Sequence, residues 1–195
     1  DETSRGLGDV YKRQDIPTQE CIDANMKALA DYAKIVQNNN MVPIVEPEVL
    51  MDGEHSAQSC FEATANCLKT LFSMLDANDV NLKGTILKPN MVVSGIDAPI
   101  QASVSEVAEL TLKVLKENVP SDLAGIAFLS GGQPDLLATE HLDAMNKIGG
   151  LPWPLSFSYG RALQQPALKA WMGQLDNKEA AQEAFSHRAL MNKLC

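Results

Sequence analysis

Gly84-Thr-Ile-Leu-Lys-Pro-Asn-Met-Val92 begins as a buried strand and meets a lysine where the strand should end. Thr85, Ile86 and Leu87 are strand formers, and Met91 and Val92 resume the apolar character after the break. Lysine is almost never fully buried unless something pairs with it. Desolvation disfavours the charged ammonium, and an uncharged amine is a nucleophile able to form a Schiff base with a carbonyl. The plainer reading of Lys88 is a strand-end lysine that reaches solvent along its apolar stem. The surrounding chain has to decide between the two.

On either side, strands and helices alternate. Before the quoted stretch, residues 18–38 place Ile22, Met26, Leu29, Ala30, Ala33 and Ile35 on one helical stripe, with Thr18 as the N-cap. A short apolar strand, residues 41–49, follows, then a helix over about 57–76. After it come a helix over about 103–117, a strand at 124–132, a helix over about 135–147 and a last strand at 151–160. Helical stretches over about 161–172 and 177–192 close the chain. Strands that each precede a helix at this spacing predict a parallel sheet built from β-α units. The fold class expected is α/β, as four such units. In a (β/α) barrel the chemistry sits at the carboxyl ends of the strands, and in an open sheet the ligand crevice lies there.

The polar residues gather at those ends. Glu46 and Glu48 flank Pro47 in "VEPEV"; residues two apart on a strand point the same way, so both carboxylates are expected to face one site. Two close carboxylates repel, which suits acid/base work, although a solvated acidic strand end reads the same way. "FLSGGQP" sets Ser130, Gly131 and Gly132 just after a strand, where glycine backbone can approach a phosphate; an ordinary flexible turn is the alternative. "SFSYGRALQ" adds Gly160 and Arg161 at a helix start, a good phosphate receptor or a structural ion pair. Together, a lysine nucleophile, an acid/base glutamate and a phosphate cradle describe Schiff-base chemistry on a phosphorylated carbonyl compound.

Composition excludes several other classes. The chain has 195 residues and is 45% hydrophobic, enough for a packed core. A net charge of −9 argues against nucleic-acid or anionic-membrane partners, so an anionic ligand must be held by local groups. The four cysteines, Cys21, Cys60, Cys67 and Cys195, and the three histidines make no metal-ligand pattern, which predicts reduced thiols and a cytoplasmic, metal-free protein. No run is long enough to span a membrane and none has the pattern of a signal peptide. Residues 1–14 have no hydrophobic period, and "DVYKRQ" looks like translated sequencing-adapter DNA. They are expected to form a non-native leader that packs against nothing, ahead of a domain at 15–195.

Through "VPIVEPEV", "TILKPNMV", "FLSGGQ", "FSYGRALQ" and "LKAW", the chain from about Pro17 to Cys195 resembles the class I fructose-bisphosphate aldolases. The resemblance implies a (β/α)8 TIM barrel of which these strands are the fifth to eighth, the C-terminal half. It implies an aldehyde-lyase of glycolysis that splits fructose 1,6-bisphosphate reversibly into dihydroxyacetone phosphate and glyceraldehyde 3-phosphate. No cofactor or metal is implied. Lys88 would form the Schiff base, Glu46 would be the general acid/base and Glu48 a second acid of the site. Ser130, Gly131, Gly160 and Arg161 would bind substrate phosphate, and the intact protein would be a homotetramer. The family's first four strands, an active-site aspartate, several active-site lysines and the tyrosine-ended tail have no counterpart here, and "NKIGGLPWPLSF" departs from the family pattern. A fragment is therefore expected. The competing reading is an inactive half-barrel or interaction module completed by a partner chain. Another Schiff-base barrel aldolase acting on a smaller sugar phosphate is disfavoured by the Glu-Pro-Glu and Ser-Gly-Gly motifs.

Overall fold

The computed structural model describes residues 9–10 and 17–195. Among the described residues six α-helices form, each close to a predicted helical stretch: α1 (Gln19–Asn38), α2 (Ala57–Ala77), α3 (Val104–Asn118), α4 (Asp135–Ile148), α5 (Arg161–Trp171) and α6 (Lys178–Leu194). The first three start on hydroxyl caps. Thr18, Ser56 and Ser103 accept from the amides of Cys21, Ser59 and Glu106, each meeting one donor that the first turn leaves unpaired. Neither α4 nor α5 has a side-chain cap; their N-terminal turns follow Pro134 and Gly160.

The strands are short: β1 (Asp9–Val10), β2 (Ile44–Val45), β3 (Glu48–Val49), β4 (Ile86–Leu87), β5 (Gly125–Phe128) and β6 (Leu155–Phe157). β2, β4, β5 and β6 form one parallel sheet in chain order, as the β-α alternation predicts. Register aligns Val45 with Leu87, Leu87 with Ile126, and Ile126 with Leu155. Val45, Leu87, Ile126 and Phe128 are buried with the helices' apolar stripes, and consecutive helices pack on one another. The alternate row is less covered: Ile44 and Ser156 are exposed, Ile86 and Ala127 half-buried. One face of the sheet thus carries the core and the other stands open, because side chains alternate along each strand.

Two expectations need correction. Residues 41–49 do not make one strand. Pro47 has no amide hydrogen for a ladder, and the chain splits there into β2, inside the sheet, and β3, outside it. Nor does the segment 1–14 pack against nothing: Asp9 and Val10 pair in parallel with Glu48 and Val49. A ladder satisfies backbone N–H and C=O groups whatever the side-chain period, so a segment without amphipathic pattern still adds to an open strand edge. The rest of the segment lies outside the described residues.

The loop 149–154 is anchored. Gly149 and Gly150 take left-handed φ angles of 64° and 65°, and buried Trp153 donates from Nε1 to the Pro120 carbonyl at 2.7 Å. None of the four cysteines is in a disulfide, and Cys60 and Cys67 are buried on α2. No helix among the described residues is long and apolar enough to cross a membrane.

Candidate active site

The parallel register brings Glu46 to Lys88. Val45 lies beside Leu87, so the next residue on each strand also meets its neighbour, and both point to the face turned away from the helices. The Lys88 amide donates to the Val45 carbonyl at 2.7 Å, which extends the ladder into this pair. Lys88 Nζ then stands 2.9 Å from Glu46 Oε1, with the side chains 19% and 25% exposed. This is a half-buried ion pair at the sheet's carboxyl end. The lysine is neither lost in the core nor spread into solvent.

Asn90 holds the chain just beyond. Buried, it accepts from the Val49 amide at 3.0 Å through Oδ1 and donates from Nδ2 to Thr64 Oγ1 and the Met91 carbonyl, each at 3.1 Å. One side chain therefore ties the exit of β4 to β3 and α2. The sequence reading passed over Asn90; its signal was an amide inside an apolar run, which must find partners when buried.

Glu48 diverges from Glu46 because Pro47 separates their strands. Its Oε1 lies 3.7 Å from where a Cβ on Gly131 would stand, so it faces the Ser-Gly-Gly turn. In that turn Gly131 and Gly132 have φ of 59° and 87°, a left-handed pair that side chains rarely adopt. The preceding Ser130 is buried, and its carbonyl accepts from the amide and from Nε2 of Gln133, each at 3.0 Å. The Gln133 carbonyl oxygen in turn meets His141 Nδ1 at 2.7 Å. With Gln133 donating through Nε2, its Oε1 is the acceptor, so the bond network assigns the proton to Nδ1. Burial pushes His141 down to about 4 and keeps the ring neutral. Gln133 and His141 also escaped the sequence reading, though Gln133 sits within the quoted "SGGQ".

The last two β-α turns meet. A Cβ on Gly132 would stand 3.3 Å from Arg161 Nη2, so the exposed guanidinium lies over the glycine face. Gly160 caps α5 with its carbonyl, which accepts from Leu163 and Gln164 at 3.2 and 3.0 Å. Behind them, the buried Tyr159 hydroxyl donates to the Ala138 carbonyl of α4 at 2.9 Å; burial raises it above the ordinary tyrosine range. Backbone amides at two helix starts, a guanidinium and glycines that leave room for close approach can receive an oxyanion. Lys88, Glu46, Ser130, Gly131, Gly160 and Arg161 all follow strands of one parallel sheet, at its carboxyl end, and Glu48 opens β3 just past β2.

Such a sheet, its helices and the position of these residues define a protein of the (β/α)-barrel class. A family model described as fructose-bisphosphate aldolase class-I matches residues 9–195, which includes the short strand β1. The chain belongs to the class I fructose-bisphosphate aldolase family. It is 52% identical over 182 residues to the probable fructose-bisphosphate aldolase class 1 of Xanthomonas campestris pv. campestris, covering 93% of this chain and 54% of that protein. Against fructose-bisphosphate aldolase B of Gallus gallus the identity is 49%, over 91% of this chain and 49% of the relative. A solved structure of the Plasmodium falciparum aldolase, in complex with TRAP and a small-molecule inhibitor, superposes with a TM-score of 0.93 at 41% identity. That match covers 95% of this chain and 54% of the other. The chain thus spans about half the length of these relatives.

Proposed function

We propose that residues 15–195 are the C-terminal half of a Schiff-base aldolase barrel acting on fructose 1,6-bisphosphate, with residues 1–14 as a leader to it. The observation that carries this reading is the Lys88–Glu46 contact of 2.9 Å at the carboxyl end of adjacent parallel strands. A lysine must shed a proton before it attacks a carbonyl, and a carboxylate at hydrogen-bond distance is placed to take it. Attack of Nζ on the substrate's ketone carbon forms a carbinolamine. Loss of water, with Glu46 returning the proton to the departing hydroxyl, leaves an iminium. Glu46, again a carboxylate, takes the proton of the C4 hydroxyl. The C4–O bond becomes a carbonyl as the C3–C4 bond breaks, its electron pair moving into the iminium to form an enamine, and glyceraldehyde 3-phosphate departs. Protonation of the enamine and addition of water release dihydroxyacetone phosphate and restore the amine.

Ser130, Gly131, Gly160 and Arg161 hold a substrate phosphate in this reading. Their support is the meeting of the two glycine turns at the Arg161 guanidinium, local positive charge on a chain of net charge −9. Glu48, facing the same turn, is a second acid of the site. The iminium is the electron sink, so the reading includes no metal or cofactor. It also places the intact enzyme in the cytoplasm as a homotetramer, which light scattering of the full-length protein would check.

Borohydride tests the chemistry. With dihydroxyacetone phosphate, it should trap a covalent adduct on Lys88 in the full-length protein, because it reduces an iminium to a stable amine. Lys88→Met should abolish the adduct, and EDTA should leave activity intact. An adduct mapping to Lys83 or Lys147 would overturn the assignment.

A further inference from the structure

The cradle is built from two separate turns, and something must hold them at a fixed spacing. β5 and β6 pair behind them, but α4 and α5 leave the sheet on independent loops. The residue that spans the two helix starts comes from neither. Arg188, on α6, is 4% exposed and inserts between them. Its Nη2 donates to the Asp135 carbonyl and to Thr139 Oγ1, each at 2.6 Å, in the first turns of α4. Its Nε donates to the Ala162 carbonyl of α5 at 3.4 Å and stands 3.7 Å from Asp135 Oδ2. Asn192, one turn on, donates to the Arg188 carbonyl at 2.9 Å and accepts from Thr139 Oγ1 at 3.0 Å. Ala162 directly follows Arg161, and Asp135 lies three residues after Gly132.

Stability alone is a poor reason for this arrangement. A buried guanidinium is costly to desolvate unless every donor is met and a counter-charge is close. Here Nη1 is buried and has no hydrogen-bond partner among the described residues, and the carboxylate is loose at 3.7 Å. A well-packed apolar side chain would fill the space at lower cost. What the guanidinium supplies instead is a planar fork with fixed donor directions, which sets the distance between two backbone carbonyls.

We infer that Arg188 is a positioning residue, clasping the first turns of α4 and α5 so that the glycine turn at 130–132 and the Gly160–Arg161 turn close on one phosphate. The inference rests on the sugar-phosphate reading above and names the residue that sets the geometry of its anion site. Arg188 touches no substrate; it acts through Arg161 and the amides of the two turns.

Steady-state kinetics of the full-length protein, with inorganic phosphate as a competitive probe, separate this role from a merely structural one. Arg188→Lys keeps the charge but loses the fork, and Thr139→Val removes an acceptor while keeping volume, so a folded variant is available even if Arg188→Met fails to fold. In the folded variants the phosphate Ki and the KM for fructose 1,6-bisphosphate should both rise about tenfold, with kcat changed by less than about threefold. Arg161→Ala should raise the phosphate Ki as well. Adding Arg188→Lys to it should raise Ki little further, because both changes disable one cradle. Variants that lower only the melting temperature, or changes that add fully in the double variant, would overturn the clasp. If Arg161→Ala itself leaves the phosphate Ki unchanged, the sugar-phosphate reading falls and takes the clasp with it.

Discussion

Neutral His141 gives the Ser130–Gln133 turn a dependence on pH. The ring donates through Nδ1 to Gln133, which holds the Ser130 carbonyl, while the buried Nε2 has no hydrogen-bond partner among the described residues. A second proton would put a charge and an unmet N–H into the core, so burial lowers the group from 6.5 to about 4. The unfolded chain therefore takes up a proton near pH 6.5 that the folded chain refuses until about 4. The neutral ring's contribution is whole above pH 6.5 and is lost as pH falls through that window. Between pH 7.5 and 5 it should remove about 2 kcal/mol of stability. His141→Asn, which keeps a side-chain bond to Gln133 without titrating, should flatten the fall by that amount in urea denaturation. An unchanged pH slope in the variant would show that His141 does not govern it.

At the scale of elements, the loops that leave β3 and β4 are stitched backbone to backbone. Gly95 donates to the His55 carbonyl at 2.8 Å, Ile96 to Met51 at 2.7 Å and Asp97 to Gly53 at 3.0 Å. The approach is close enough that a Cβ on Gly95 would stand 2.1 Å from the Gly53 carbonyl oxygen and 3.0 Å from the His55 amide nitrogen. Those are backbone atoms, which cannot swing aside as a flexible side-chain end does. Gly95→Ala should therefore push the two loops apart and destabilise the protein by about 1–3 kcal/mol. The denaturation midpoint would report it, and a shift of less than a few tenths of a kcal/mol would mean that the loops separate freely. Because the β4 loop begins at Lys88, the same variant should also lower the yield of borohydride adduct.

For the whole molecule, the consequence lies in the open face and edges of the sheet. β2 and β6 each have one unpaired side among the described residues; Ile44 of β2 is exposed, as are Met41 and Val42 just before it. Unpaired strand edges next to apolar side chains are templates for association. Lys88 and Glu46 point to the same uncovered face. The 195-residue chain alone is therefore expected to bind a hydrophobic dye and to elute larger than a monomer. It should form little adduct with dihydroxyacetone phosphate compared with the full-length protein. A monomer that binds no dye and traps substrate as efficiently as the full-length protein would contradict this.

Local order was legible because it depends on neighbours in sequence. The helical stretches read from the sequence match all six helices to within about two residues, and Thr18 was readable as a cap because its acceptor reaches only three residues along. The β-α alternation fixed parallel strands in chain order, since right-handed crossovers leave few other arrangements. Lys88 was conspicuous as a cation in an apolar run, though the residue alone left a nucleophilic amine and a solvent-reaching strand-end lysine both open. Tertiary structure alone decided how these parts meet. Glu46 reaches Lys88 through inter-strand register, and Glu48 turns to Gly131 because Pro47 ends the ladder that the apolar run predicts to continue. Asp9 and Val10 joined β3 through backbone groups that carry no compositional signal. Asn90, Gln133 and Arg188 find their partners across 41, 8 and 53 residues of chain. A polar residue bonded over such separations looks, in one dimension, like any other polar residue; only folding supplies the partner that gives it a role.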